Sequence, residues 1–341
     1  MWDDGNHICY KICSYKVKHD HLNNLMLPSV VGQGPRERLT ISIPHAVVFD
    51  DDKPTTLIKT MQVWPPEDMV VTRQTTIWKV KTPLGTFALK TISKHDTKDL
   101  RACEKAANEL RLLRALRGHP HVVTVEAGFQ TPHDLCLLLE WCPKDFMTVL
   151  EDGCEAGFLW SQMMSWMGQL ADVFQALRVH DLIHRDVKPE NIFVAADGTL
   201  RLGDFEFAIT STTLHQTGAH AMVGTIVYMA PEMIHGDIYD FPIDMWALGI
   251  VFYDMLTGFY PFAALHTPKN WTSRKACQAC LPAPQRGVVA PYPKGFLRTC
   301  AWWPAHEEEA VAMLDGLLAL HPDDRWDAAR VADAVSKAQC V

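Results

Sequence analysis

The chain has 341 residues, 32 Lys+Arg against 40 Asp+Glu, a formal net charge of −8 and 48% apolar residues, which is about two domains of chain at roughly 150 residues each, with ample material for a core. The acidic balance argues against a surface built on nucleic-acid phosphates, and no apolar run reaches the ~18 residues of a membrane helix; the longest, 245–253, is bounded by Asp244 and Asp254. The ten cysteines are scattered and read as reduced intracellular thiols, in cytoplasm or nucleus, rather than a disulfide framework.

Residues 1–62 open Met1-Trp2-Asp3-Asp4, with no basic stretch leading into an apolar core, so no secretory signal is visible. Pro28, Gly32, Gly34, Pro35 and Pro44 break the segment, and Asp50-Asp51-Asp52 reads as a solvated face. The segment reads as an extension tethered by Ile41, Ile43, Val47 and Val48 in short strands. The strand-like runs 76–81 and 86–91 flank Thr82-Pro83-Leu84-Gly85, a turn composition, and predict a hairpin. Leu100, Cys103, Ala107, Leu110 and Leu113 recur at a helical period over 98–117, and Gly118-His119-Pro120 stops that helix. Strands are expected at 122–125 and 135–139, which makes 63–142 a small strand-rich lobe with one helix. From 143 to 341 the pattern turns to long helices at 159–180, 242–256, 307–320 and 326–338. A small β-rich lobe followed by a larger α-helical lobe is a two-lobed α+β architecture, with the crevice between lobes the natural ligand seat.

The most informative stretch is His184-Arg185-Asp186-Val187-Lys188-Pro189-Glu190-Asn191. After it, 192–195 reads as a strand, Asp197-Gly198 as a two-residue turn and 200–202 as the return strand. A regular hairpin of that kind places Asn191 and Asp204 side by side at its open end, and their oxygens suit a hard cation such as Mg²⁺. Asp186 and Lys188 add a proton acceptor and an ammonium to offset phosphate charge, which outlines a phosphoryl-transfer site.

The 184–191 run resembles the H-R-D-x-K-P-x-N catalytic loop of eukaryotic protein kinases. Ala88-Leu89-Lys90 resembles their A-x-K strand, and Ala230-Pro231-Glu232 their A-P-E. The resemblance spans roughly 65–338 and implies a two-lobed kinase fold that uses Mg-ATP. It implies Asp186 as catalytic base, Lys188 on the transferred phosphate, Asn191 and Asp204 on Mg²⁺, and Lys90 on the α/β-phosphates, paired with Glu109. It further implies Leu139 as gatekeeper, Glu140 to Cys142 as the hinge facing adenine, and Phe193 as the floor of the adenine pocket. Ala88 and Lys90, two apart on a strand, face the same side, a small residue over the base and a cation over its phosphates. Asp244 resembles the helix aspartate that braces the catalytic loop, and Arg325 the buried partner of Glu232. His184 is expected to hold the loop by packing and hydrogen bonding.

Lys188, with Gly224-Thr225 ahead of Tyr228-Met229-Ala230-Pro231-Glu232, looks like a serine/threonine kinase, since tyrosine kinases lack that lysine. The implied partners are protein substrates with Ser/Thr acceptors, and neither nucleic acid nor membrane. Arg185 could receive a phosphate on the following loop, where Thr210, Ser211, Thr212, Thr213 and Thr217 are available.

Two departures stand out. The segment 68–77, where a Gly-rich phosphate loop is expected, contains no glycine, and the metal-binding triplet is Asp204-Phe205-Glu206 in place of Asp-Phe-Gly. They keep open a catalytically weak pseudokinase scaffold as the alternative. Such divergence beside an unrelated extension looks like the kinases of large DNA viruses, which would place the protein in a host cell. Cys277, Cys280, Cys300 and His306 could form a zinc set, but the second pair lacks close ligand spacing, which favours ordinary thiols. Trp302-Trp303 reads as core or interlobe packing ahead of a docking patch.

Overall fold

The computed structural model describes residues 39–42, 47–48, 60–63, 70–71, 75–82, 84–94, 97–131, 134–153, 157–218, 220–258, 261 and 305–339. Cys277, Cys280, Cys300, Trp302, Trp303 and the acidic run 50–52 lie outside them. The chain divides into two compact units, residues 1–110 with 125–141, and residues 111–124 with 142–341.

The smaller unit is built on β1 (Leu39–Ser42), β2 (Val47–Val48), β3 (Thr60–Val63), β4 (Val70–Val71), β5 (Thr75–Thr82) and β6 (Gly85–Ser93). Helix α1 (Thr97–Ala115), whose residues from Arg111 onward belong to the larger unit, β7 (Val125–Gln130) and β8 (Asp134–Glu140) follow. The strands form one eight-stranded sheet in the order β1-β3-β5-β6-β8-β7-β2, with β4 also on β5. β5 and β6 form the expected hairpin, in register from Thr75↔Ile92 to Thr82↔Gly85. The Thr82 hydroxyl accepts from the Leu84 N–H at 3.1 Å, and Gly85 takes φ +144°, a backbone that disfavours a side chain. Along β5 the side chains of Thr76, Trp78, Val80 and Thr82 are buried, the period of a half-buried strand.

Two expectations shift by a residue or more. On α1, Ala107 is exposed and Ala106 buried, because the inward face is centred on Ala106, Glu109, Leu110 and Leu113. An apolar count alone ignores the buried carboxylate at 109. β7 starts only at Val125; the preceding residues bond elsewhere, Val123 N–H to the Leu202 carbonyl at 2.9 Å within the larger unit. Gly128 of β7 lies so close to Leu110 that a Cβ there would collide with its side chain.

The larger unit contains β9 (Lys144–Asp145), α2 (Phe146–Gly153), α3 (Trp160–Val179), β10 (Leu182–Ile183), β11 (Ile192–Val194) and β12 (Leu200–Leu202). It continues through β13 (Ile209–Thr210), α4 (Ser211–Thr217), α5 (Pro231–His235), α6 (Pro242–Thr257), α7 (Glu307–Leu317) and α8 (Ala328–Ala338). Residues 243–256 of α6 are buried on every side, so this helix is the axis of the core. The other long helices match expectation within a turn; α8 begins two residues later than read because Asp327 caps it, accepting from the Arg330 N–H at 2.9 Å. Helices α2, α4 and α5 are too short for periodicity, but Asp145 caps α2 through the Thr148 N–H (2.7 Å) and Thr210 caps α4.

Glu232 of α5 is tied to Arg325 by bonds of 2.6 and 3.1 Å. Arg325 also donates to the carbonyls of Pro242, Ala319 and Leu320, so the pair knits three segments of the core together. His306, from the suggested zinc set, stacks on Trp160 at 4.9 Å. Among the described residues no helix is long and apolar enough to cross a membrane.

Candidate active site

In the smaller unit, Lys90 Nζ donates to both Glu109 oxygens, at 3.0 and 2.8 Å, and both side chains are buried. The strand presents the lysine and α1 the carboxylate, so two elements far apart in sequence fix one ammonium in direction. Ala88 lies opposite Leu139 and Lys90 opposite Leu137, so Ala88, Lys90 and Leu139 share a face of the sheet. Glu140 pairs with Phe87 and belongs to the other face. Cys142 is the first residue after the boundary at Trp141, so the stretch read as a hinge is where the chain passes between units.

In the larger unit the 184–191 loop is held by buried groups. Asp244 on α6 accepts from the backbone N–H of His184 (2.7 Å) and of Arg185 (2.9 Å). Burial pushes the Asp244 carboxyl upward, opposed by His184 and by these two N–H groups. They hold Arg185 at φ +67°, a left-handed backbone unusual for a residue with a side chain. The His184 Nδ1 accepts from the Asp186 N–H (3.3 Å) and its Nε2 faces the Gly203 carbonyl (3.0 Å), which assigns the ring proton to Nε2. Its ring packs edge-on against buried Phe205 at 4.8 Å.

Asp186 is gripped from three sides. Thr225 N–H donates to Oδ1 at 2.7 Å, Asn191 Nδ2 to Oδ2 at 2.9 Å, and Lys188 Nζ lies 3.0 Å from Oδ2. Lys188 also donates to the Thr225 hydroxyl at 2.8 Å. A carboxylate fixed this way turns its remaining lone pairs in one direction. Asn191 Nδ2 donates a second bond, 2.8 Å, to the Asp186 carbonyl. With both donors spent on acceptors, the amide presents its oxygen as a ligand atom.

The hairpin differs from the sequence reading in its loop. Ile192 pairs with Leu202 and Ala195 with Thr199, so the loop has three residues, 196–198, with Gly198 at φ +81°. Asn191 therefore pairs with Gly203, whose N–H donates to the Asn191 carbonyl at 2.9 Å, and Asp204 comes one residue later. A left-handed backbone at Asp204 (φ 55°, ψ 67°) turns its side chain off the strand course. Asn191 and Asp204 supply only oxygens, which fits Mg²⁺, a hard cation that takes few protein ligands. Phe193 lies on the same hairpin, and with Val123 it crowds Gly203 so that a Cβ there would sit 2.8 Å from each. Glu206 falls in the 3₁₀ turn Phe205–Phe207 and has no left-handed backbone, so this conformation requires no glycine there.

The candidate phosphate acceptors sit on β13 and α4. Ser211 is buried and donates to Asp240 at 3.0 Å, Thr210 caps the helix, and Thr217 donates back to the Thr213 carbonyl at 2.8 Å. Arg185 donates to the Phe207 carbonyl (2.6 Å) and to the Tyr239 hydroxyl (3.3 Å).

Two constraints escape the sequence reading, which uses Gly224 only as part of the Gly224-Thr225 landmark. Gly224, at φ +91°, packs so tightly on the loop that a Cβ would collide with the Arg185 carbonyl and lie 3.0 Å from Asp186 Oδ1. An acidic pair also emerges. Glu190 Oε2 is buried and finds no hydrogen-bond partner among the described residues, and burial pushes Glu190 upward. Asp254 is pushed up to about 7, by burial first and then by the charge of Glu190. The signal was available, since Asp254 is an acid at the end of a helix buried all round.

A small antiparallel sheet whose lysine pairs with a glutamate on the adjoining helix, and a helical unit presenting an aspartate–asparagine–lysine cluster on one loop, define the protein kinase class. Consistent with this, residues 77–335 match the protein kinase domain, and the chain belongs to that family. It is similar to serine/threonine-protein kinase 36 of Pongo abelii, 32% identical over 200 residues, covering 54% of this chain and 14% of the relative. It is also similar to cGMP-dependent protein kinase 2 of Mus musculus, 34% over 188 residues (55% and 24%). A third relative, the Aurora kinase of Encephalitozoon cuniculi, is 30% identical over 191 residues (55% and 66%). The chain thus spans between 14% and 66% of the length of these relatives. A kinase domain implies the use of ATP.

Proposed function

We propose that this chain transfers the γ-phosphoryl group of Mg-ATP to serine or threonine hydroxyls of protein substrates. The observation that carries the reading is the grip on Asp186 by Thr225, Asn191 and Lys188. Asp186 accepts the proton of the attacking hydroxyl, and Lys188 offsets charge on the moving phosphoryl group. Lys90, aimed by Glu109, engages the α/β-phosphates; Ala88, Leu139 and the 140–142 backbone would meet the adenine. Asn191 and Asp204 would hold Mg²⁺, which supplies charge neutralisation at the phosphates. The rest is positioning, since phosphoryl transfer asks little covalent chemistry of the protein.

Glu190 and Asp254 extend the reading to the substrate. Two acids, one with a buried oxygen that finds no donor among the described residues, face an energetic cost that an arriving cation removes. Glu190, in the loop that carries Asp186, would meet a basic side chain near the acceptor hydroxyl, while Asp254, buried in α6, only adds to the negative charge of that setting. The glycine-free segment 68–77 favours a second reading, a nucleotide-poor scaffold. Phosphate transfer from labelled Mg-ATP to a basic protein, compared with Asp186→Asn, tests both. Ser/Thr incorporation that the variant loses supports the enzyme; absence of both transfer and ATP binding supports the scaffold.

A further inference from the structure

The segment ahead of the kinase match contributes strands to both edges of the small sheet. β3 pairs with the outer edge of β5 (Gln62↔Lys81, Val63↔Val80), and β1 extends that side (Leu39↔Val63 to Ser42↔Thr60). β2 pairs with β7 at the opposite edge (Val47↔Gln130, Val48↔Phe129). The sheet order therefore begins with β1 and ends with β2, strands that are neighbours in sequence.

Chain length turns this into a statement about shape. Six strand spacings separate β1 from β2 along the sheet, about 29 Å if it were flat, yet the five residue steps from Ser42 to Val47 reach at most about 18 Å. The sheet must curl until its two ends approach. An isolated β5 or β7 edge would expose a row of unpaired N–H and C=O groups; here one stretch of chain pairs both.

We propose that β1, β2 and β3 form a strap that pairs both edges of the small sheet and holds it curled. The folded kinase unit of this chain then begins near residue 39, ahead of the matched residues 77–335. The strap also governs the base of the β4–β5 turn, because β3 and β4 share one edge of β5 (Val80–Lys81 and Thr76–Ile77).

The deciding test uses the full chain and is independent of catalysis. Val47→Cys/Gln130→Cys and Gln62→Cys/Lys81→Cys place thiols at directly paired positions, one pair at each edge, at separations that suit a disulfide. Both are expected to crosslink in the native protein under mild oxidation, as mapped by mass spectrometry. The displaced pair Gln62→Cys/Lys79→Cys is expected to crosslink at least tenfold more slowly. Deleting residues 1–63 is expected to speed amide exchange in β5 and β7 at least tenfold while α6 keeps its protection. Failure of either paired crosslink, equal crosslinking of the displaced pair, or unchanged exchange in the truncated chain overturns the strap. Should the truncated chain not fold, the crosslinks decide.

Discussion

The Lys90–Glu109 pair yields a prediction that needs no assumption about turnover. The Lys90 side chain is 8% exposed and that of Glu109 1%, and the ammonium reaches both oxygens within 3.0 Å. Glu109→Gln leaves the ammonium buried without its carboxylate, and breaking a buried pair in this way costs about 3–5 kcal/mol. The double variant Lys90→Met/Glu109→Leu removes both desolvation penalties and keeps similar volume. It is expected to lie within about 1 kcal/mol of the parent, far from the sum of the single losses. Amide exchange in β6 and in α1 up to Leu110 reads the opening of this unit alone. The single variant is expected to exchange faster by about two to four powers of ten, at 1.36 kcal/mol per decade, and the double variant by less than one. ATP affinity is expected to fall in both, which separates the structural from the functional loss. Additive losses in the cycle, or a Glu109→Gln change below about 1 kcal/mol, would refute the reasoning.

Gly224→Ala is expected to lower kcat at least a hundredfold with little change in the KM for ATP, because a Cβ collides with the loop carrying Asp186; steady-state kinetics within threefold of the parent would contradict it. Asp254, pushed up to about 7, makes the folded chain bind more protons than the unfolded chain between its ordinary 3.8 and about 7, so stability falls as pH rises through that window. Asp254→Asn is expected to gain about 1 kcal/mol or more at pH 8 relative to pH 5 in urea unfolding of the larger unit, and parallel pH profiles would count against it. Glu206→Gly is expected to cost about 0.5–1 kcal/mol without improving Mg²⁺ dependence, since position 206 needs no left-handed backbone; a clear rise in activity would show that the glutamate obstructs the metal.

Much of this site was legible because its chemistry is written in short spacings. Ala88 and Lys90 share a strand face by the pleat alone, and the 184–191 run fixes Asp186, Lys188 and Asn191 within one loop. Glu109 was readable as a carboxylate on a helix whose Leu110 and Leu113 are buried as expected; Ala106 takes the place of Ala107 on that inward face. The loop of the β11–β12 hairpin was misjudged by one residue, since Asp197-Gly198 suits a two-residue turn and also the end of a three-residue one. Gly224 carried no readable demand, because its constraint comes from Arg185, about 40 residues earlier. The strands ahead of residue 63 were anticipated only as tethers. Which edge each one joins is a non-local choice that composition does not encode.

The loop that carries the chemistry is held against its own backbone preferences. Among the described residues, the non-glycine positions with positive φ are Asp181, Arg185 and Asp204, all within the span that bears the site. Each such position costs on the order of 1 kcal/mol or more and persists only where the surroundings over-determine it. Here they do. Asp181 accepts from Ser211 and Thr212 N–H groups at 2.9 and 3.0 Å, and Arg185 is pinned through Asp244. Asp204 follows Gly203, which is bonded on to Asn191 and crowded by Phe193 and Val123. The compensation comes from α4 at Asp181, from Asp244 of α6 at Arg185 and from the β11–β12 hairpin at Asp204, and α6 is in turn tied at Pro242 to Arg325 and through it to Glu232. The loop's accuracy is therefore a property of the whole larger unit: substitutions at Asp244 or Arg325 should disturb folding and loop geometry together, whereas Asp186→Asn changes one functional group on a scaffold that other residues hold in place.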